Sequence, residues 1–432
     1  MRLNRLLSSV ADAGRELLSR KNTVSPQKDL EDYCAELLTS KGEALGTAIA
    51  VEVVNAYRKT DSEAKLSFFQ HLIAQYSPSA DEVIALAEAY KLDPSFGNFA
   101  ALNDAVESPR QMLFRRINMA PQGTETIVSL RHDLLSMLKQ YPELKPIDYD
   151  LQHLLKSWFN RGFLSLEEVS WQTPARILEK LMRYEAVHSM SGWDDLKKRL
   201  SHNRRCFAFF HPSLPEEPLI FVEVALVNGL ADSVVPLINP QETTEEIPAD
   251  TAIFYSISNC QTGLAGISFG NFLIKQVVLE LQRELPELKQ FATLSPIPGF
   301  MRWLDTEVNS GESAAVSEEE QNLLELLNLP DWQKNTTHCE KLEPLLTRLC
   351  TYYLTTAKKG RNPYDPVARF HLGNGARIER LNWMGDPSEK GLKQSAGLLV
   401  NYFYDISQVE ANHESFINDG QVITAKSFAK AY

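Results

Sequence analysis

The stretch Phe254-Tyr-Ser-Ile-Ser-Asn-Cys-Gln-Thr-Gly-Leu-Ala-Gly-Ile-Ser-Phe-Gly-Asn-Phe-Leu-Ile-Lys275 decides how the chain is read. Ala252 to Ser258 is apolar, aromatic and β-branched, which suits a strand. Gly263, Gly266 and Gly270 then crowd a polar turn. From Phe269 to Leu285 apolar residues return at helical spacing, through Phe272, Leu273, Val277 and Leu281, so a helix starts inside the glycine run. Strand, glycine turn and helix N-terminus together present N–H groups to a phosphate. The glycines match neither the dinucleotide fingerprint nor a P-loop, so a tight connection with no ligand fits this segment equally well. Further on, Phe291 to Leu294 reads as a second strand. It runs into Ser295-Pro296-Ile297-Pro298-Gly299, a turn fixed by two prolines.

The 432 residues are enough for two or three domains with real cores, and 44% hydrophobic with 23% charged residues is ordinary soluble composition. A net charge of −12 argues against a nucleic-acid binder, so an anionic ligand needs a local cluster of cations or amides. The five cysteines, Cys34, Cys206, Cys260, Cys339 and Cys350, give neither a disulfide framework nor a C-x-x-C pair. A reducing compartment follows, and the cytoplasm is the expected location. No apolar run reaches membrane-spanning length. Met1 to Lys21 is amphipathic and Arg-rich, but Asp12 and Glu16 interrupt it. It reads as a frayed helix, with a targeting presequence as the alternative.

Residues 28 to about 156 read as helix after helix, with Val51, Val54 and Tyr57 on one segment and Leu66, Phe69 and Leu72 on the next. Thr60-x-x-Glu63 and Ser79-x-x-Glu82 have the form of capping boxes, and Pro78, Pro121, Pro142 and Pro146 fall between segments. His71, His132 and His153 lie among helix formers as surface or core residues, so no nucleophile–base pair is expected here. Helix continues to about Leu200. The strand Pro218 to Val227 then opens a mixed α/β region. The expected division is a helical domain, 1–156, and an α/β domain, 157–432. Near its end His371 follows a strand-like approach and precedes Gly373-Asn374-Gly375. That places it at a loop edge rather than in a core, where catalytic groups tend to sit. A strand from Ala376 to Trp383, a loop from Ser388 to Gly397 and a strand from Leu398 to Tyr404 are expected next.

Seven segments between His211 and Tyr404 share one order and spacing with a known family. They are H-P-S-L-P-E-E-P-L-I-F-V-E-V-A-L, F-Y-S-I-S, G-L-A-G-I-S-F-G-N-F-L-I-K, L-S-P-I-P-G-F, F-H-L-G-N-G-A, L-N-W-M-G-D and G-L-L-V-N-Y. Together they resemble malonyl-CoA decarboxylase. The resemblance implies conversion of malonyl-CoA to acetyl-CoA and carbon dioxide without biotin, metal or other cofactor. It implies an N-terminal all-helical bundle domain for oligomerisation, a homotetramer, and an acetyltransferase-like (GNAT-type) mixed α/β catalytic domain. It assigns catalysis to Ser295 and His371. Substrate binding falls to Ala265, Gly266, Ile267, Ser268, Phe269, Gly270 and Asn271, with Ser256 aligned near the site. Some family members carry glutamate at the position of Ser268, so any carboxylate role there is absent from this chain.

The chemistry agrees with those residue types. Loss of carbon dioxide leaves a thioester enolate, which needs oxyanion stabilisation and an acid for the carbon. Histidine suits the acid because its ordinary pKa lies near neutrality. Arg204, Arg205, Lys275 and Lys358 to Arg361 are the candidate cations for CoA phosphates. Three rivals stay open: a CoA-dependent N-acyltransferase with His371 as base, a Ser–His thioesterase, and a non-enzymatic CoA-binding scaffold. Ser295 lacks the G-x-S-x-G elbow that the thioesterase would call for.

Overall fold

A computed structural model describes residues 29–39, 42–240, 249–267, 273–309 and 315–431, with short pieces at 9–10 and 12–13. Most of the expected N-terminal helix lies outside these residues, as do Ser268, Phe269, Gly270 and Asn271. Helices fill the first region: α1 (Leu30–Thr39), α2 (Glu43–Lys59), α3 (Ser62–Gln75), α4 (Ala80–Leu92), α5 (Phe96–Val106), α6 (Pro109–Asn118), α7 (Gly123–Met137) and α8 (Lys145–Trp158). Their apolar residues recur at three and four, so each buries one stripe. α8 buries Ile147, Leu151, Leu154 and Leu155, and α7 buries Ile127, Leu130 and Leu134. The buried Asp150 carboxylate accepts from Arg110 Nε at 2.9 Å, Ser108 Oγ at 2.7 Å and Gln111 Nε2 at 2.9 Å. A buried charge needs such complete pairing.

α4 and α5 depart from this pattern. Neither buries a single residue. They pack on each other, with the Tyr90 and Phe99 rings 5.7 Å apart. Ile84, Leu92, Phe96 and Phe99 stay exposed, Leu92 at 87% and Phe96 at 83%.

One capping box is shifted. Asp61, not Thr60, caps α3, its carboxylate accepting from Ala64 N at 2.9 Å. Thr60 ends α2 and returns its hydroxyl to Ala56 O. At α4 the Ser79 hydroxyl accepts from Glu82 N at 3.4 Å, which is the hydroxyl half of the expected box. Pro146 lies inside the first turn of α8 rather than between helices, a position where no N–H is missed.

The second region carries an eight-stranded mixed sheet: β1 (Ser165–Val169), β2 (Arg204–Phe210), β3 (Ile220–Val227), β4 (Thr251–Asn259), β5 (Gln290–Thr293), β6 (Ser295–Pro296), β9 (Arg377–Asn382) and β10 (Leu399–Phe403). A small hairpin, β7 (Lys358–Lys359) and β8 (Asn362–Pro363), stands apart. β2, β3 and β4 are antiparallel neighbours, and β4 pairs parallel with β5 from Thr251↔Gln290 to Phe254↔Thr293. Parallel strands need a crossover, and the helix after the glycine turn supplies it. Around the sheet lie α9 (Ala175–Tyr184), α10 (Trp193–Arg199), α11 (Val235–Ile238), α12 (Leu273–Glu284), α13 (Phe300–Asn309), α14 (Glu318–Leu324), α15 (Thr336–Thr355), α16 (Pro366–Gly373), α17 (Glu389–Ser395), α18 (Val409–Asp419) and α19 (Lys426–Ala431). Ala225, Ile253, Tyr255, Ala292, Leu294 and Leu399 form a core on one face.

Three expectations need correction. β1 interrupts the stretch expected to be helical up to Leu200. Ser388 to Gly397 is a helix, not a loop. Ser388 caps it, and Ala396 and Gly397, both at positive φ, end it. The approach to His371 is helix α16, not strand.

The described chain forms two compact units. One comprises the residues up to Ser165 with Phe210–Pro218 and the turn residues 261–267. The other comprises Leu166–Phe209, Leu219–Cys260 and the described residues after 272.

Candidate active site

β5 and β6 follow one another along a single edge of β10, with Ala292 opposite Phe403 and Ser295 opposite Val400. Between them the ladder is broken and a side chain repairs it. Thr293 Oγ1 accepts from Tyr402 N at 3.1 Å, and Thr293 O accepts from Asn401 Nδ2 at 2.7 Å. Leu294 N still donates to Phe254 O, at 3.0 Å. Ser295 therefore sits just past the point where β5 leaves β4, buried and paired with Val400 of β10.

His371 reaches the same place from α16. Asp365 caps this helix, its Oδ1 accepting from Ala368 N at 2.8 Å, and Pro366 occupies the first turn. His371 lies in the last turn and is 2% exposed, so it is a core residue and not one at a loop edge. Its Nε2 lies 3.2 Å from Ser295 Oγ, and its Nδ1 lies 2.8 Å from the Tyr404 hydroxyl. The Tyr402 ring stacks on the imidazole at 4.6 Å and 23°. Ser295 Oγ also donates to Thr293 Oγ1 at 2.8 Å. The result is a buried chain, Thr293–Ser295–His371–Tyr404, in which each link has a hydrogen-bonding partner.

Burial sets the electrostatics. It pushes the His371 pKa down to about 3, so the ring is neutral at pH 7 and not poised near neutrality as its ordinary value implies. Asp365, beneath the start of α16, is moved the other way by burial, up to about 6. Tyr353 donates to Asp365 Oδ2 at 3.4 Å, and Gly299 lies so close that a Cβ there would come within 2.4 Å of the Tyr353 hydroxyl. Only glycine lets the turn after Ser295 lie against these two.

A family model described as the malonyl-CoA decarboxylase C-terminal domain matches residues 162–431. Its N-terminal counterpart matches residues 76–159. The chain belongs to the malonyl-CoA decarboxylase family. It is 38% identical over 336 residues to the mitochondrial malonyl-CoA decarboxylase of Anser anser anser, covering 72% of this chain and 67% of that one. The enzyme of the same name from Rattus norvegicus is 37% identical over 335 residues, covering 72% and 68%. Crystal structures of malonyl-CoA decarboxylase from Rhodopseudomonas palustris and Agrobacterium vitis superpose with TM-scores of 0.89 and 0.87, at 46% and 45% identity. They cover 93% and 94% of this chain and 98% and 99% of their own.

Among residues that the resemblance to malonyl-CoA decarboxylase singled out, Ser295 and His371 meet directly. Ser256 is buried on β4, and its hydroxyl donates to both Glu185 oxygens at 2.9 and 2.8 Å. In the turn, the amides of Leu264, Ala265 and Ile267 donate within the turn itself, to Gln261, Thr262 and Leu264 carbonyls. Most of the candidate cations are engaged elsewhere. Arg204 is buried and donates to the Leu237 and Pro236 carbonyls. Arg205 pairs with Glu284 and Lys275 with Glu410. Lys358 donates to Gly420 O, whereas Lys359 and Arg361 are exposed beside it. Thr293, Tyr402, Tyr404 and Asp365 were missed as site residues. Asp365-Pro366 was a readable signal, since it is a capping residue followed by an N1 proline.

Proposed function

We propose that Ser295 and His371 carry the decarboxylation of malonyl-CoA to acetyl-CoA and carbon dioxide, with no cofactor. The observation that carries this reading is the buried 3.2 Å contact between Ser295 Oγ and His371 Nε2 in a chain of this family. The bond between the α-carbon and the carboxylate breaks, and its electron pair enters the thioester carbonyl. Carbon dioxide leaves, and the enolate takes one proton at carbon. The carbonyl is the electron sink, so no prosthetic group is called for.

His371 supplies the proton. Burial alone keeps it neutral before substrate arrives. A malonyl carboxylate placed beside it reverses that balance, because an opposite charge favours the imidazolium. The ring takes a proton from solvent as substrate binds and releases it to carbon after carbon dioxide departs. Tyr404 suits both states, since its hydroxyl donates to a neutral Nδ1 and accepts from a protonated one. Ser295 orients the carboxylate by turning to it the O–H that it otherwise donates to Thr293.

The turn at residues 265–271 takes the CoA moiety. Pairing of β4 with β5 ends at Phe254↔Thr293 while β4 runs on to Asn259, so the edge beyond offers strand-like partners to pantetheine amides. Residues 1–156 serve assembly, as a homotetramer, and residues 157–432 the chemistry. The exposed apolar hairpin α4–α5 supports assembly. The cytoplasm is the proposed location. Among the described residues no disulfide is formed, and no helix is long and apolar enough to cross a membrane.

The test follows acetyl-CoA and carbon dioxide from malonyl-CoA in the presence of a chelator. His371→Asn should lower kcat about 10²–10⁴-fold, the usual contribution of a general acid. No acetyl-CoA from the wild type overturns the activity. A folded His371→Asn variant at the wild-type rate overturns the site.

A further inference from the structure

The turn residues 261–267 belong to the same compact unit as α1 to α8. One helical residue grips that turn. Arg131 of α7 is 1% exposed, and its Nη1 donates to Gly263 O at 2.7 Å and to Ala265 O at 2.9 Å. Its Nε donates to Asp148 Oδ1 of α8 at 2.7 Å, and Asp148 Oδ2 accepts from Gln152 at 2.7 Å. The turn also touches α7 directly. A Cβ on Gly263 would come 2.0 Å from Val128 O, so only glycine fits. α7 therefore fixes the turn at two points, one by shape and one by charge.

A buried guanidinium is costly unless every donor is used, and an apolar side chain would fill this helix face at less cost. What a guanidinium adds is a rigid plane, in which one nitrogen, Nη1, serves both carbonyls while Nε is anchored by a second helix. Both carbonyls belong to the turn whose residues 265–271 are assigned to CoA, and Ala265 is the first of these. We propose that Arg131 is a positioning residue for acyl-CoA binding, so that the helical region sets substrate affinity as well as assembly. This rests on the assignment of the turn to CoA made above.

The experiment compares wild type, Arg131→Met, Arg131→Lys and Gly266→Val by malonyl-CoA kinetics, CoA titration calorimetry and thermal melting. Arg131→Met should raise KM and the CoA Kd about tenfold, the scale of losing a hydrogen bond to a charged group. Its kcat should stay within about threefold, which marks lost binding rather than lost chemistry. Arg131→Lys keeps the charge without the rigid plane and the Nε anchor and should fall between. A folded Arg131→Met with wild-type KM and Kd overturns the proposal. If that variant does not fold, Arg131→Lys decides on the same criterion. Gly266→Val, which perturbs the turn itself, separates the two levels. Unchanged CoA affinity there removes the turn from CoA binding altogether. Weakened affinity there with unchanged affinity in both Arg131 variants removes only Arg131.

Discussion

The Tyr404 hydroxyl lies 2.8 Å from Nδ1 of His371, and this contact governs what the opposite nitrogen can do. A phenol beside a neutral imidazole donates, which leaves the ring proton on Nε2, facing Ser295. Tyr404→Phe keeps the ring and removes that control. It should lower kcat by about 10–100-fold, less than loss of the acid itself. Steady-state kinetics with circular dichroism checks this. An unchanged kcat and pH profile would show that Nδ1 needs no partner.

Thr293 joins strand repair to the proposed catalytic serine, because its hydroxyl meets both Tyr402 N and Ser295 Oγ. Thr293→Val leaves a buried amide unsatisfied and should cost about 1–3 kcal/mol of stability. It should also lower kcat, and the loss combined with Ser295→Ala should be smaller than the product of the two single losses. Fully multiplicative losses would mean that the two hydroxyls act independently.

These contacts explain why the sequence was legible in some places and not in others. The strand, turn and helix around Gly263 follow from local pattern: β4 lies where that pattern put it, and so does the helix from Leu273 on, its expected start at Phe269 lying outside the described residues. β1 was not legible because five residues, Ser165 to Val169, show little apolar alternation. Burial of His371 depends on strands arriving from other parts of the chain. The seven residues from Pro366 to Leu372 suit strand or helix until the Asp365 cap is weighed. Tyr404 and Thr293 read as ordinary strand residues. Only the three-dimensional pairing of β5, β6 and β10 places their hydroxyls beside His371 and Ser295.

The α4–α5 hairpin should drive self-association. Leu92 and Phe96 are exposed, and no residue of either helix is buried. An exposed apolar face of this kind marks an interaction site. Leu92→Glu with Phe96→Glu should lower the mass measured by light scattering at micromolar concentration. Melting of the remaining fold should change by less than about 0.5 kcal/mol, as for surface substitutions. An unaltered assembly size would move the interface elsewhere.

Stability should fall as pH drops below about 6.5, the ordinary histidine range. Burial lowers the pKa of His371 to about 3. At His188 burial, then Arg199, lowers it to about 4. A histidine with a lowered folded value binds its proton more readily in the unfolded chain. Its contribution is therefore complete above the unfolded pKa and is lost as pH falls toward the folded value. Asp365 works in the opposite sense. Its folded pKa is raised to about 6, so its contribution is lost as pH rises from the unfolded carboxylate value through about 6. His371→Asn should flatten the acid-side decline, each titrating group contributing at most about 1.4 kcal/mol per pH unit. Asp365→Asn keeps a capping oxygen but removes the opposing group, so it should steepen the decline and raise stability at pH 8. Urea unfolding at pH 5.5, 6.5 and 8 measures both slopes. A His371→Asn variant with the wild-type slope would mean that His371 does not fold in its neutral form.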